Sequence, residues 1–217
     1  MMLILKSSLL LLVVCSLAGQ GSAGVSNKIL DFLTYFTGER DNSAQVNRTG
    51  DDHDFIQVVV IPVDVPVLGA DPVVLIQESV NGVIALFQLG VIRETSDNFI
   101  NLTLYSLTDY SNFRPGMYPI KNISQAQQQD LQTVEGCVAS FELPGKGLMA
   151  GIYPDCDHGV NGVFPWFTVT YTCDFKTAIF PSNSEQKSTL RPYILSRTSP
   201  RYPLAIAPKD YVSPCDN

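Results

Sequence analysis

Cations are scarce in this chain. Its 217 residues carry 14 Lys and Arg against 21 Asp and Glu, a formal net charge of −7. No basic stretch stands out, and nucleic-acid backbones are held by clustered cations, so no nucleic acid is expected as a partner. Catalytic landmarks are also missing: there is no G-x-S-x-G elbow, P-loop, G-x-G-x-x-G or H-E-x-x-H. Only two histidines occur: His53, within Asp51-Asp52-His53-Asp54, and His158, after Asp157. Their carboxylates lack the regular oxygen spacing of a calcium loop, and a solvated acidic loop is the plainer reading. Long apolar runs are absent after the N-terminus. The nearest, residues 73–89, is interrupted by Gln77, Glu78, Asn81, Gly82 and Gln88, so no membrane span is expected. What is present is an ordinary globular composition, 45% hydrophobic, at a length suited to one domain.

The N-terminus reads as an address. Lys6 precedes Leu9-Leu10-Leu11-Leu12-Val13-Val14-Cys15, followed by small residues up to Ala23. The pattern is that of a secretory signal peptide over residues 1–23, too short for a comfortable span. Four cysteines then remain: Cys137, Cys156, Cys173 and Cys215. An even number in an oxidising compartment suggests two disulfides. The favoured pairing is Cys137–Cys156 with Cys173–Cys215, the second tying the tail to the body. A zinc site is the alternative, but no C-x-x-C occurs, so no metal is expected. Sequons at Asn47, Asn101 and Asn122 complete the picture of a secreted glycoprotein.

Residues 27–36 form the best helix candidate. Ser26 or Asn27 can cap it, Ile29, Leu30, Leu33 and Phe36 recur at helical spacing, and Gly38 ends it. Residues 40–54 look like a loop. Strand signals follow at 55–63, 73–78, 83–87, 91–94 and 99–107, with Asn81-Gly82 as a turn. By length alone 73–87 also suits a helix. Residues 125–131 read as a helical turn capped by Ser124. Later strands are expected at 136–143, 148–153, 164–174 and 193–197, with turns at Pro144-Gly145 and Asn161-Gly162. Many short strands point to a mainly β fold, an antiparallel barrel or sandwich over residues 24–199. An extended tail, residues 200–217, would be held by Cys215. A barrel of this size can hold one small ligand.

Glu78 interrupts an apolar strand. It faces solvent, or it faces the interior and needs a partner or a ligand. Tyr105, on the mixed face of its strand, has the same two options.

Several stretches, taken in order, resemble the CpeT/CpcT family of phycobiliprotein chromophore lyases. Gly38, Asn42 and Gln45 match its opening G-x-x-x-N-x-x-Q after an amphipathic helix. Gln77-Glu78 falls where the family has a Glu-Gln pair, in reversed order. Residues 100–107 resemble its tyrosine-bearing strand, followed by Phe113 and Gly116. Gly136-Cys137, Met149-Ala150-Gly151 and Cys156 resemble later steps, and Pro192-Tyr193-Ile194-Leu195-Ser196-Arg197 its closing strand. Gln88 and Gly90 stand where the family often has a basic pair.

The resemblance implies a calyx-shaped antiparallel β-barrel, often dimeric, that holds a bilin (a linear tetrapyrrole) or a similar apolar ligand. It also implies transfer of the bilin to a cysteine of an acceptor protein. On it, Glu78 and Tyr105 would be the catalytic pair, Glu78 meeting pyrrole nitrogens or moving a proton and Tyr105 stacking or hydrogen-bonding. Gln77 would line the ligand site, and Arg93 or Arg114 would meet a propionate. No cofactor is required; the bilin is ligand or substrate. The alternative is a secreted ligand-binding or structural glycoprotein without catalysis. The ligand-binding reading requires a hollow, apolar interior that offers a few polar groups.

Overall fold

The computed structural model describes residues 25–48, 52–107, 113–154, 156–159, 162–164, 167–179 and 192–216, the side chains of 134–136, 156–159 and 162–164 excepted. The expected signal peptide lies outside them. In chain order the elements are α1 (Asn27–Phe36), β1 (Gly38–Asp41), α2 (Ser43–Val46), β2 (Ile56–Val63), β3 (Val73–Val80), β4 (Val83–Glu94), β5 (Ile100–Leu107), α3 (Ile120–Ile123), β6 (Leu131–Gly145), β7 (Leu148–Tyr153), β8 (Cys156–Gly159), β9 (Gly162–Phe164), β10 (Phe167–Tyr171), β11 (Phe175–Ile179) and β12 (Tyr193–Arg197). Ten strands close an antiparallel barrel in the order β1-β12-β11-β10-β7-β6-β5-β4-β3-β2, and β8–β9 form a separate hairpin. Closure pairs both edges of every barrel strand, which is how an all-β chain avoids exposed pairing groups. Among the described residues no helix is long and apolar enough to cross a membrane.

The α1 prediction holds to the residue. The Ser26 side chain accepts from the Ile29 amide at 3.3 Å, a normal N-cap. Phe32 and Phe36 lie 5.0 Å apart and meet Phe141 edge-on at 5.1 and 5.8 Å, so the helix packs its aromatic face into the barrel core. Residues 40–54, read as a loop, instead hold part of β1 and the short α2. The reason is tertiary: the polar β1 is recruited as the strand that closes the barrel. The stretch 83–94 is one long strand rather than two, because Gly90 packs against Leu102 and Val74 inside the barrel without breaking the ladder. Within the turn expected at 125–131 a 3-10 turn forms at Gln128–Asp130, capped by Gln127; Ser124, the expected cap, instead ends α3, which the sequence did not show. The turn expected at Pro144-Gly145 falls at Lys146-Gly147. Strand β11 has no counterpart in the sequence reading.

Strand alternation sets two layers. Val74, Ile76, Leu86, Ile92, Ile100, Leu102 and Leu104 join the interior cluster with Phe141, Val169 and Leu195. Val73, Leu75, Phe87, Leu89, Val91 and Leu107 face outward but are buried under Val65, Ile123 and Leu131. The chain between β5 and β6 thus covers the outside of β3–β5. A bulge opposite Glu78 and Ser79 leaves Ala85 unpaired, so Ile84 turns outward and Leu86 inward.

The β1–β12 seam is short: Arg40 pairs with Arg197 and Asp41 with Ser196. Side chains reinforce it. Asn42, fully buried, donates to the Asp54 carbonyl at 2.8 Å and accepts from the Ile56 amide at 2.7 Å. Gln45 donates to the Pro192 carbonyl at 2.9 Å and accepts from the Ile194 amide at 3.0 Å. Arg197 donates to the carbonyls of Cys173 at 2.8 Å and Thr37 at 3.0 Å. Gly38, at φ +113°, leaves no room for a Cβ beside the Arg197 guanidinium. Arg40 is fully buried and donates to the carbonyls of Tyr35, Phe36 and Thr37, closing the C-terminal end of α1. Burial, and then the Arg197 charge, lowers its pKa to about 10.

The tail crosses α1. Tyr211 donates to Asp31 at 2.8 Å, and Tyr202 donates to Glu39 at 3.2 Å. The Cys173–Cys215 disulfide pins its end, as the sequence pairing anticipated. Cys137 is also disulfide-bonded and buried; the Cys156 half of the expected Cys137–Cys156 pair lies outside the described side chains.

Candidate functional site

A small cavity lies inside the barrel. Its apolar wall comes from Val58 and Val60 on β2, Ile76 on β3, Leu86 on β4 and Leu104 on β5. Phe36 of α1 closes one side, and Tyr153, Phe167 and Tyr171 form an aromatic wall. Tyr153 and Phe167 stack at 4.4 Å with 5° between planes. The space is tight. The cavity measures about 20 Å³, roughly the room of one water.

Three polar side chains enter this wall from neighbouring or facing strands. Glu78, on β3, is 6% exposed, and its Oε2 lies 3.6 Å from Lys176 Nζ on β11. Lys176 is equally buried, with its ammonium 5.9 and 6.0 Å from the Phe167 and Tyr171 ring centres. Gln88, on β4, is 2% exposed, and among the described residues its Oε1 has no hydrogen-bond partner. Because Ile76 pairs with Gln88 and Glu78 with Leu86, Glu78 and Gln88 are diagonal neighbours on one face. Burial first, then Tyr171 and the Glu78 charge, push the Tyr153 pKa well above the usual phenol value.

Of the five expected catalytic and ligand residues, only Glu78 reaches this cavity. Tyr105 points to the outer face, packed in the cluster under the covering segment. Gln77 is also on the outer face: it donates to the carbonyls of Arg114 and Met117 and accepts from the Gly116 amide at 2.9 Å. It clamps the cover down. Arg93 is exposed and paired with Asp71 at 2.6 Å. Arg114 is exposed, and its carbonyl takes part in the Gln77 clamp. The strand period explains the separation, since 77 and 78 must face opposite ways. Sequence reasoning missed Lys176, Tyr153 and Tyr171, and took Gln88 as the loss of a basic residue. The signal for Lys176 was the alternation Phe175-Lys176-Thr177-Ala178-Ile179, which places Lys176 with Ala178 on one face.

His53 meets Tyr193 edge-on at 4.7 Å and lies 3.4 Å from Gln45 Nε2, so it belongs to the seam. His158 lies outside the described side chains. The sequon residues Asn47 and Asn122 are exposed; Asn101 is half-buried on the outer face and accepts from the Ser140 hydroxyl at 3.0 Å.

No family model matches the chain, and no curated protein matches it. Among solved structures, the CRL protein of Arabidopsis is similar with a TM-score of 0.47 at 12% identity, over 79% of this chain and 97% of that one. A likeness of that degree carries no argument about function.

Proposed function

We propose that this protein is a secreted β-barrel container for a small, mainly apolar ligand, with the bilin implied by the CpeT/CpcT resemblance as first candidate. The observation that carries the reading is the Glu78–Lys176 pair beside Gln88, whose Oε1 has no partner among the described residues, all facing one small apolar void inside a closed barrel. A buried polar atom without a partner is rare in native interiors, and a cavity lined by one asks for a guest. Secretion is supported by the Cys173–Cys215 disulfide and the exposed Asn47 and Asn122. With room for about one water, a tetrapyrrole enters only if wall side chains such as Tyr153 and Phe167 part.

As a lyase, the barrel would present the bilin to a cysteine thiolate of an acceptor protein, with protonation of the tetrapyrrole activating it towards attack. Glu78, which lines the cavity, would handle that proton. The second reading is a binding or structural glycoprotein without catalysis. It is favoured by what the resembling residues do here: Gly38, Asn42, Gln45 and Arg197 close the barrel seam. An absorbance titration of the purified protein with biliverdin and related linear tetrapyrroles tests the first reading. A red-shifted, saturable spectrum that weakens in Glu78→Gln is expected. An unchanged spectrum with every pigment would remove the bilin. Covalent transfer to a cysteine-bearing acceptor peptide separates lyase from binder.

A further inference from the structure

The interior charge is already balanced. Glu78 and Lys176 neutralise each other at 3.6 Å, and neither meets a further charged side chain on the cavity wall. A guest bearing a carboxylate would leave that interior with a net negative charge; one bearing an ammonium would leave it net positive. Either charge would be stranded among apolar side chains, where an unbalanced ion is strongly disfavoured. What the site lacks is hydrogen bonding, not charge. Among the described residues no hydrogen bond reaches Gln88 Oε1, and the Lys176 ammonium has its carboxylate at 3.6 Å and the Phe167 and Tyr171 rings at 5.9 and 6.0 Å.

We infer that the cavity selects ligands whose buried end is an uncharged group able both to donate and to accept, such as an amide, a lactam or an alcohol. The donor of that end meets Gln88 Oε1 or a Glu78 oxygen, and its acceptor meets Lys176. With room for about one water at rest, the apolar body enters only as the Tyr153 and Phe167 rings part, and then lies along Val58, Val60 and Ile76. The inference rests on the container reading and deepens it by naming the ligand class. It also fixes an orientation for a linear tetrapyrrole: an uncharged terminal lactam ring goes inward, and the charged propionates stay in water.

Four matched probes test this: hexanamide, 1-hexanol, hexanoate and hexylammonium, titrated against the disulfide-bonded protein at neutral pH by ligand-observed magnetic resonance. The neutral pair is expected to bind at least about tenfold more tightly than either ion. In Glu78→Gln the lone ammonium should bring hexanoate ahead, and in Lys176→Met the lone carboxylate should bring hexylammonium ahead. The double variant, which restores neutrality, should again favour the neutral probes; it also covers the case in which a single variant does not fold. Hexanoate or hexylammonium leading in the unaltered protein would overturn the inference and leave the container standing. Binding of none of the four would overturn both.

Discussion

At the scale of single residues, the interior ion pair matters most. Two charges taken out of water gain stability only against each other, so removing one is worse than removing both. Lys176→Met and Glu78→Gln should each cost about 3–5 kcal/mol in urea unfolding, and the double variant far less than their sum. Additive losses would show that the two side chains do not act as a pair. The seam residues make a second case. Gln45 satisfies one backbone donor and one acceptor of the chain entering β12. Gln45→Leu leaves both unsatisfied at a part-buried seam, and about 1–2 kcal/mol should be lost. These contrasts also show what single residues revealed before any fold was known. Glu78 was legible because a carboxylate in an apolar run demands an explanation. Lys176 was not, because a lysine in a short polar-looking segment demands none until its strand is paired. Tyr105 and Gln77 had the right strands and the outward face, which composition alone could not decide.

At the scale of elements, local pattern and tertiary demand separate cleanly. Helix α1 carries its own cap, periodicity and stop, so sequence located it without help. The long central strands are rich in β-branched residues and were legible for the same reason. The elements that escaped are short, among them β1, α2 and β11. Each exists because a neighbour supplies what its sequence lacks, β1 between β2 and β12, β11 between β10 and β12. Such elements should be the first to fail. In Gly38→Ala the new methyl meets the Arg197 guanidinium at a backbone angle that L-residues rarely adopt. A loss of at least about 2 kcal/mol is expected, with amide exchange speeding first in β1 and β12. Uniform exchange across the barrel would show that the seam is not a separate weak point. The tail is the other dependent element. Cys215→Ser opens a link of sequence separation 42 and should cost about 2–4 kcal/mol. Limited proteolysis should then cut within residues 200–216 before the barrel; an uncut tail would mean that Tyr202 and Tyr211 suffice to hold it.

At the scale of the whole molecule, the tyrosines give the fold a common dependence on pH. Tyr35, Tyr118, Tyr153, Tyr193, Tyr202 and Tyr211 all have pKa values raised by burial above the usual phenol value. For Tyr202 the Glu39 carboxylate adds to burial, and the value reaches about 12. A phenol raised in the folded state keeps its proton while the unfolded chain gives it up. The unfolded state then binds fewer protons, and stability falls as pH rises. The contribution is complete below about pH 10, where unfolded tyrosines are still protonated, and Tyr202's share is spent by about pH 12. Arg40 acts in the opposite sense. Its folded pKa is lowered to about 10, so the unfolded chain holds its proton longer, and this one residue adds stability as pH rises over the same window. Six phenols against Arg40 and the similarly lowered Arg197 set the net direction as a loss. Urea midpoints should therefore hold steady up to about pH 10 and drop beyond it, with tyrosinate absorbance rising in step with unfolding. Tyr202→Phe should make that drop shallower, because one of the raised phenols is gone. A midpoint that stays level to about pH 12 would mean the phenols titrate alike in both states, and that burial in the barrel and under the tail does not hold their protons.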